Sequence, residues 1–456
     1  MRKIGTLILI FVLLLTLFSC SLDNEIKENE DDPDVKVSYD FGGYEFMIRD
    51  FVHNGDTPMI PTEGQNELDD FLISRYKQIE SDYNCTIQLE VGESLSMIAQ
   101  SAIGEKYADI MNEKIYGVYN MYSAGLLLDL NQVEGLDLKS GKFGSPNIIK
   151  ATTWGDASYG MVAAYWGIPT PFFADAFLFN PRILNENSQP SPHELFENKD
   201  WSWDQFEKIC IAVTDTSDLE NPVYGSVLNG YFQRAALFSN GASYAKEDKD
   251  GRIVYNLASE EAVDTVNWIK KLNNDYKVLD KPKDWEKDAY SFAAGRFAFL
   301  AEYSWIGLSK DGGRVGVAME EEFGWICFPR GPKGNYDTLA AITNDNFFLV
   351  IPIQAEENFV GPFAEELFKP LRNENYGWRE DFRREVFWND ESYNQYMAML
   401  DSAVFDYSIF ITKANPANAL NAAITGKKSP IEVFANIESK AQEQLNSELN
   451  DFIIAN

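Results

Sequence analysis

The chain has 456 residues, of which 71 are acidic and 39 are basic, so its formal net charge is −32. Such a surface repels nucleic-acid phosphates and anionic lipid headgroups, which excludes both as charge-driven partners. With 45% hydrophobic and 14% aromatic residues, the chain can bury a core, and this composition excludes general disorder. Its length exceeds that of one ordinary core and predicts two lobes or domains.

The N-terminal segment has the pattern of an export signal. Arg2 and Lys3 precede an apolar run from Ile4 to Phe18, which is shorter than the roughly 20 residues that span a bilayer. A positive start, a short apolar stretch and a small residue before a cleavage point are typical of a signal peptide. The segment that ends at Cys20 resembles the lipobox of bacterial lipoproteins, which implies removal of residues 1–19 and a lipid on Cys20. An ordinary signal peptide that contains a cysteine is the alternative.

A polar, acidic stretch, residues 20–35, follows this signal. Its composition predicts a solvated tether between the lipid and the folded body. Because the whole chain is acidic, contact with a membrane is expected from the anchor and not from charge. The predicted location is the cell membrane, with the folded body on its extracytoplasmic side, in an envelope of one membrane or two.

Alternating strands and helices open the folded body. Apolar spacing predicts, in order, a strand over 44–51, a helix over 66–81, a strand over 86–91, a helix over 94–101, a strand over 108–111 and an apolar segment over 126–130. Strands that alternate with helices are typical of βαβ units, so we expect a mostly parallel sheet here.

The pattern changes after residue 150. Two extended runs, 159–166 and 177–180, are candidates for segments that cross between lobes. Helices are expected from Trp203, with Ser202 as the N-cap, and over 259–272. The remaining expected elements are a hairpin turn at 248–251, extended segments at 298–301 and 347–351, and a mostly helical C-terminal third whose last helix covers 432–452.

Cysteine and histidine are too scarce to build the common metal and redox sites. Cys85, Cys210 and Cys327 are widely spaced, so buried free thiols are expected, although a single disulfide stays open. His53 and His193 are far apart, which disfavours a zinc hydrolase. The sequence contains no GxSxG elbow, phosphate-binding loop or GxGxxG motif.

An ordered series of short motifs carries a family resemblance. The motifs are Tyr107–Ile110 with Gly125–Leu130, Tyr159–Gly160 with Leu178–Pro181, Trp201–Phe206, Tyr224–Gly225 with Asp250–Gly251, and Phe292–Phe299 with Trp305. Together they resemble the extracellular solute-binding proteins of family 1, the carbohydrate-binding components of ABC importers, among which maltose-binding protein is the familiar member. Each motif is weak alone, and their shared order gives the resemblance its strength.

The resemblance implies an α/β fold of two lobes, the type 2 periplasmic-binding-protein-like fold. Each lobe would be a mostly parallel sheet flanked by helices, with lobe 1 formed by 36–168 plus 298–352 and lobe 2 by 169–297 plus 353–456. A solute would bind in the cleft, and the lobes would close on it about crossover strands. The expected partners are a small solute, most readily a carbohydrate, and the ABC permease. A monomer without cofactor, metal or nucleic acid is expected.

A sugar site needs aromatic rings for the apolar faces of the sugar and planar polar groups for its hydroxyls. We therefore select aromatic and polar residues that lie directly before or after predicted strands or match the family positions, together with Trp378 from the charged helical region near the C-terminus. The predicted ligand-binding residues are Asn54, Asp56, Glu113, Tyr116, Trp166, Tyr231, Glu302, Tyr303, Trp305, Asn344, Asp345 and Trp378. Trp201 and Trp203 are interpreted as structural.

The leading hypothesis is a non-enzymatic binding lipoprotein that delivers a mono- or oligosaccharide to a permease. An extracellular glycoside hydrolase is the first alternative, because 71 acidic residues leave room for a catalytic carboxylate pair. A glycan-binding surface lipoprotein without a permease is the second. Peptide, polyamine and uronate ligands stay open, since fold does not fix function.

Overall fold

The computed structural model describes residues 39–52, 57–167, 173–308, 314–343, 345–371 and 378–451. The predicted signal peptide, Cys20 and most of the tether lie outside these ranges. Within them, no helix is both long enough and apolar enough to cross a bilayer. The compact unit from Phe41 to Asn456 is described below.

Short strands and helices alternate through this unit. The strands are β1 (Tyr44–Asp50), β2 (Cys85–Val91), β3 (Ile110–Lys114), β4 (Thr153–Trp154), β5 (Ala157–Ser158), β6 (Ala176–Phe179), β7 (Ser226–Val227), β8 (Ala245–Glu247), β9 (Ile253–Tyr255), β10 (Leu279–Asp280), β11 (Phe299–Glu302), β12 (Gly324–Ile326), β13 (Ala341–Ile342), β14 (Phe347–Val350) and β15 (Val404–Phe405). The helices are α1 (Glu67–Tyr83), α2 (Ser94–Ser101), α3 (Ile115–Ser123), α4 (Pro146–Lys150), α5 (Pro181–Glu186), α6 (Pro192–Glu197), α7 (Trp203–Val213), α8 (Gly230–Ser239), α9 (Glu260–Lys270), α10 (Trp285–Ala293), α11 (Trp305–Leu308), α12 (Arg314–Ala318), α13 (Glu357–Leu367), α14 (Trp378–Val386), α15 (Asp390–Ser402), α16 (Pro416–Thr425) and α17 (Pro430–Leu445). Two π-helical turns, Lys271–Tyr276 and Asn446–Asn450, extend α9 and α17, and a 3₁₀ turn covers Tyr407–Phe410.

The first sheet has the strand order β14-β3-β1-β2. β1 pairs in parallel with β2 and with β3, whereas β14 joins β3 in the antiparallel direction. Phe46 and Ile48 of β1 are fully buried, and α1 covers the sheet with Leu72 and Tyr76. The predicted βαβ arrangement is confirmed for this part of the chain.

The second sheet is built around β6, which pairs in antiparallel fashion with β11 and with β12. β7 pairs in parallel with β10 and is linked to the β11 segment through a parallel bridge between Tyr224 and Phe297. The sheet is therefore mixed, and the prediction of a mostly parallel sheet in each lobe is wrong here. Among the described residues between Met161 and Ala176 no crossover helix precedes β6, so nothing there forces it to run parallel to its neighbours.

Tryptophans at the start of α7 stabilise the core of the second sheet. Trp201 is fully buried and donates a hydrogen bond from Nε1 to the Cys327 carbonyl over 2.8 Å. Trp203 stacks on Trp268 with ring centroids 4.0 Å apart. The structural role predicted for both is confirmed. Ser202 precedes α7 as expected, but within the described residues its side chain makes no capping hydrogen bond.

Three segments connect the two sheets. The first leaves the first sheet near Met161, which pairs with Leu349, and enters the second sheet at β6. The second returns from β12 to β14, and the two segments run side by side where Ala174 pairs with Ala341. The third lies between α13, in the first core, and α15, beside β12. The two runs predicted to cross, 159–166 and 177–180, instead lie at the two ends of the first segment, the former in the first core and the latter in β6.

Strand pairing differs from two of the predicted lobe boundaries. β11 and β12 pair with β6, although residues 298–352 were assigned to the lobe of β1. Phe363 of α13 stacks on Phe46 of the first sheet at 3.7 Å, although residues after 352 were assigned to the other lobe. Runs of four buried apolar residues are alike in both sheets, so the sequence pattern does not specify which sheet a strand joins.

Three smaller expectations concern an apolar segment, a hairpin turn and the cysteines. The apolar segment 126–130 contributes a single bridge, from Leu127 to Pro352. The hairpin turn at 248–251 is confirmed between the antiparallel strands β8 and β9. Cys85, Cys210 and Cys327 are buried and free, as predicted.

Candidate functional site

The carboxyl ends of β1 and β3 meet at one edge of the first sheet because these strands are parallel. β14 runs the other way, so its first residue, Phe347, lies opposite Lys114 at the end of β3. The Lys114 ammonium contacts the Asp345 carboxylate at 3.1 Å. Tyr116, at the start of α3 two residues after Lys114, is 51% exposed. The first sheet thus presents one ion pair and one exposed ring at this edge.

The second sheet brings aromatic rings to the ends of its own strands. Tyr231 begins α8 shortly after β7, and Tyr303 follows β11 directly. Their rings meet edge to face with centroids 5.0 Å apart. Trp305 starts α11 and meets the ring of Trp285 at 5.3 Å. We call Lys114, Tyr116, Tyr231, Glu302, Tyr303, Trp305 and Asp345 the strand-end cluster.

The second crossing segment joins both halves of the strand-end cluster. The hydroxyls of Tyr303 and Thr343 lie 2.9 Å apart and share a hydrogen bond. Thr343 is two residues before Asp345, which pairs with Lys114 in the first sheet. Burial raises the pKa of Tyr303 to about 12, so its hydroxyl stays a neutral donor and acceptor. Contacts therefore place five of the predicted binding residues in one interlobe region: Glu113, Tyr231, Glu302, Tyr303 and Asp345. Tyr116 and Trp305 are close to them in the chain.

Trp285 is a residue that the sequence reasoning missed. It is 43% exposed at the first turn of α10, and the Asp284 side chain caps that helix. Its ring extends the aromatic surface of Trp305 toward solvent. The only signal in the sequence is a tryptophan directly after an N-cap aspartate, which fits an ordinary helix start equally well.

Glu302 is the most unusual polar group of the cluster. Its side chain is 1% exposed, and Oε1 accepts a hydrogen bond from the Tyr303 N–H at 3.1 Å. Oε2 is buried without a partner among the described residues. Burial raises the pKa of Glu302 to about 8, with a smaller contribution from the Asp288 charge. The carboxyl is therefore mostly protonated at pH 7, and it can donate a hydrogen bond as well as accept one.

Glu113 is about as buried as Glu302, but backbone N–H groups donate a hydrogen bond to each of its carboxylate oxygens. Its Oε2 accepts from the Ser94 N–H at 2.7 Å and its Oε1 from the Lys114 N–H at 2.8 Å. Burial raises its pKa, while these two N–H groups oppose the change. A Cβ at Gly117 would lie 2.5 Å from the carboxyl group, so the pocket admits no side chain there. Glu113 fixes the start of α2 behind the cluster.

Two predicted tryptophans lie elsewhere. Trp166 is fully buried in the first core and donates a hydrogen bond from Nε1 to the Lys369 carbonyl at 2.9 Å. Trp378 donates from Nε1 to the Ala164 carbonyl at 2.6 Å, beside the first crossing segment. Trp378 also lines a cavity of about 980 Å³, and no other predicted binding residue among those that the structure describes lines it. The structure therefore does not bring either ring to the strand-end cluster.

That cavity and the cluster are competing places for a ligand. The cavity is large enough for one, and it is walled by residues such as Lys139, Trp154, Asp401 and Tyr407. However, none of the buried polar atoms that lack a partner in the described part of the chain belongs to its lining. One such atom, Oε2 of Glu302, belongs to the strand-end cluster, so the cluster is the better candidate.

Three predicted residues, Asn54, Asp56 and Asn344, lie outside the described residues, as does His53. Among the residues that are described, no group of three or more His, Cys, Asp or Glu side chains could hold a metal ion. The described cluster offers aromatic faces, hydroxyls and one neutral carboxyl, which suits hydrogen bonding to a polar solute.

A profile of the bacterial extracellular solute-binding proteins matches residues 74–358 of the chain. No curated protein sequence matches it. The profile covers the second sheet, the first sheet apart from β1, and the first two connections between them, including Tyr231, Glu302 and Trp305.

Solved structures of solute-binding proteins have the same fold. The cyclic α-maltosyl-1,6-maltose binding protein from Arthrobacter globiformis is 14% identical, with a TM-score of 0.61 over 89% of this chain and 100% of that one. A cyclo/maltodextrin-binding protein complexed with maltotetraose is 15% identical, with a TM-score of 0.61 over 88% and 97%. UgpB from Mycobacterium tuberculosis, in complex with glycerophosphocholine, is 13% identical, with a TM-score of 0.56 over 89% and 99%. At these identities the likeness establishes the two-lobed fold and leaves the ligand open.

Proposed function

Because the chain belongs to the bacterial extracellular solute-binding protein family, we propose that it captures a mono- or oligosaccharide between its two lobes. It then delivers this solute to the permease of an ABC importer without making or breaking a bond. A lipid on Cys20 would hold the protein at the outer face of the cell membrane. Closure of the two lobes on the solute would signal occupancy to the permease.

The observation that carries this proposal is the pairing of aromatic rings with neutral polar groups at the strand-end cluster. Tyr231 with Tyr303 and Trp305 with Trp285 form two ring pairs. Rings of this kind pack against the C–H faces of sugars, and hydroxyls and carboxyls bind the sugar hydroxyls. Two ring pairs suit a ligand of more than one sugar unit.

The charges of the cluster favour a neutral solute. The Lys114 ammonium is compensated by the Asp345 carboxylate at 3.1 Å. Glu302 adds a carboxyl that is mostly protonated at pH 7 because burial raises its pKa to about 8. A uronate would meet no uncompensated cation in this cluster, and a polyamine would meet no uncompensated anion. Both therefore fit less well than a neutral sugar.

Thermal-shift measurements on the purified protein test this proposal. The panel contains maltose, maltotetraose, glucose, a uronate, a polyamine and a tripeptide. A solute at about 100 times its dissociation constant adds about 2.7 kcal/mol to the free energy of unfolding and raises Tm. We expect a neutral sugar to raise Tm and to be recovered chemically unchanged.

Each other outcome of the thermal-shift measurements would change the proposed function in its own way. A sugar that is consumed would support the glycoside hydrolase. A shift only with the tripeptide or the polyamine would refute the carbohydrate assignment while leaving the family intact. Trp388→Ala serves as the control variant, because Trp388 is 54% exposed and lies outside the cluster.

A further inference from the structure

Arg234 is a largely buried arginine on α8, one helical turn after Tyr231. Its Nε donates to the Asp175 carboxylate at 2.8 Å, and its Nη1 donates to the Asp406 carboxylate at 3.3 Å. Both carboxylates are almost fully buried. One guanidinium thus connects two acidic side chains that are more than 200 residues apart in sequence.

The two carboxylates belong to the segments that connect the sheets. Asp175 lies in the first crossing segment, between Ala174, which pairs with Ala341, and the first residue of β6. Asp406 follows β15, and its N–H donates to the Ile342 carbonyl of the second crossing segment at 2.9 Å. Arg234 therefore contacts the first segment directly and the second through Asp406.

Asp175 also has an unusual backbone. Its φ is +67°, in the left-handed region that non-glycine residues rarely adopt. Strain of this kind persists where the surroundings fix the residue, and it is concentrated at switch regions. The ion pair with Arg234 is a contact that fixes Asp175 in this conformation.

Arg234 also contacts the proposed solute site. Its guanidinium carbon lies 5.6 Å from the centroid of the Tyr231 ring, within cation–π distance. Tyr231 contacts Tyr303, whose hydroxyl is bonded to Thr343 of the second crossing segment. A ring displaced by a solute would therefore change the environment of the guanidinium.

The ion pair of Arg234 and Asp175 leaves one donor and one acceptor without a hydrogen bond among the described residues. Nη2 of Arg234 and Oδ2 of Asp175 are buried without a partner among the described residues. A donor and an acceptor left over in one arrangement can pair in another, which is what a two-state element requires. We propose that Arg234 is a positioning residue that couples solute at Tyr231 to the arrangement of the two crossing segments, and so to lobe closure. This inference rests on the proposed solute-binding function.

The test measures the distance between the lobes by electron spin resonance. Spin labels are placed at Leu95→Cys, exposed on α2, and Ile431→Cys, exposed on α17, in a chain that also carries Cys20→Ser. The remaining cysteines are buried in the described structure. We compare the parent chain with Arg234→Gln, with Arg234→Lys, and with Arg182→Gln as the matched control. Arg182 is an exposed arginine that also contacts two carboxylates, Glu186 and Glu321.

Without solute, the parent chain and Arg182→Gln should give one distance population. Arg234→Gln should lose this single population, because its side chain no longer fixes Asp175. Arg234→Lys should show the same loss, since one ammonium does not reach both carboxylates in the geometry of a guanidinium. Unchanged distances in both Arg234 variants would overturn the proposal.

A second arm adds maltotetraose as the probe. The parent distance should shorten, and Arg234→Gln should bind about tenfold more weakly and shorten less. Equal affinity and equal shortening in that variant would also contradict the coupling. No response of the parent chain to any sugar would instead refute the proposed carbohydrate function, and the solute-free arm would still decide the role of Arg234.

A double variant separates coupling from folding. Removing Arg234 alone leaves two buried carboxylates uncompensated, which can lower Tm. In Arg234→Gln with Asp175→Asn, one of these charges is gone, so Tm should recover toward the parent value. A purely structural role predicts that the single distance population recovers with Tm. The coupling role predicts that Tm recovers while the distance population stays broadened.

Discussion

The end of β3 and the end of β11 each place a buried glutamate at the interlobe region, and the two glutamates differ in how they are satisfied. Glu113 accepts two backbone N–H groups, one on each oxygen. Glu302 accepts one, and its second oxygen has no partner among the described residues. A carboxyl whose bonds are complete supports the fold, whereas one with an unused oxygen is available to a ligand or a moving neighbour. Sequence position alone does not separate these two roles.

The largest expected effect is the pH dependence that Glu302 gives to the free energy of unfolding. Burial raises the folded-state pKa of Glu302 to about 8, so the native protein holds a proton that the unfolded chain releases near pH 4.5. The free energy of unfolding should therefore fall between about pH 5 and pH 8, by a few kcal/mol from this group. Glu302→Gln should flatten this fall, as measured by Tm against pH.

Other buried carboxyls do not affect the comparison of the Tm profiles of the parent and of Glu302→Gln. Burial raises the pKa values of Asp50 and Asp175 to about 6, and both residues are present in the parent and in the variant. The difference between the two Tm profiles therefore reports Glu302. A variant profile as steep as that of the parent would show that Glu302 is ionised in the folded protein.

The aromatic side of the β11 region is tested next. Trp305 is the aromatic residue that belongs to the last motif of the family resemblance. Trp305→Ala should weaken sugar binding about 30-fold or more, since a central aromatic contact is worth about 2 kcal/mol. Tm without sugar should change little by comparison. Isothermal titration calorimetry with the sugar identified by thermal shift gives the affinity. Binding at parental strength would remove Trp305 from the site.

Glu113→Gln tests the other glutamate of the comparison, at the end of β3. The amide keeps one acceptor, so one of the two N–H groups, from Ser94 or Lys114, loses its partner. The free energy of unfolding should fall by about 1–3 kcal/mol, while the affinity of the folded protein for sugar stays within about twofold. Chemical denaturation and calorimetry measure the two quantities. A loss of affinity without a loss of stability would give Glu113 the ligand role that we assign to Glu302.

The smallest effect concerns the outer ring. Trp285→Ala should weaken oligosaccharide binding about threefold to tenfold and leave monosaccharide binding unchanged, because Trp285 extends the Trp305 surface at 5.3 Å toward solvent. Titration of glucose and maltotetraose in parallel measures this difference. An equal loss for both sugars would indicate that Trp285 acts only by supporting Trp305.

Much of the fold was predictable because periodicity is local. The strand at Tyr44, the helix at Glu67 and the βαβ order of the first sheet follow from apolar spacing. The partners of β11 and β12 were not predictable, since fully buried strands of three or four residues carry no face pattern. The packing of α13 on Phe46 depends on a contact between residues more than 300 apart, which no local pattern contains.

The candidate site was predictable in part for the same reason. Tyr231, Tyr303 and Trp305 follow strands and Asp345 precedes β14, and the ends of these strands converge in the structure. Trp166 also follows an extended run, but it turns into the first core. Arg234 lies within a helix and has no motif, so only its two distant carboxylates reveal it.

The most direct test compares sugar affinity in Trp305→Ala and Trp378→Ala, because Trp305 belongs to the strand-end cluster and Trp378 lines the cavity, which adjoins the cluster at Asn346 and Phe347. Titration calorimetry on both folded variants uses the sugar that gives the largest thermal shift. We expect Trp305→Ala to lose most of the affinity and Trp378→Ala to keep it. Loss of affinity in Trp378→Ala with parental binding in Trp305→Ala would place the ligand in the cavity and contradict the account.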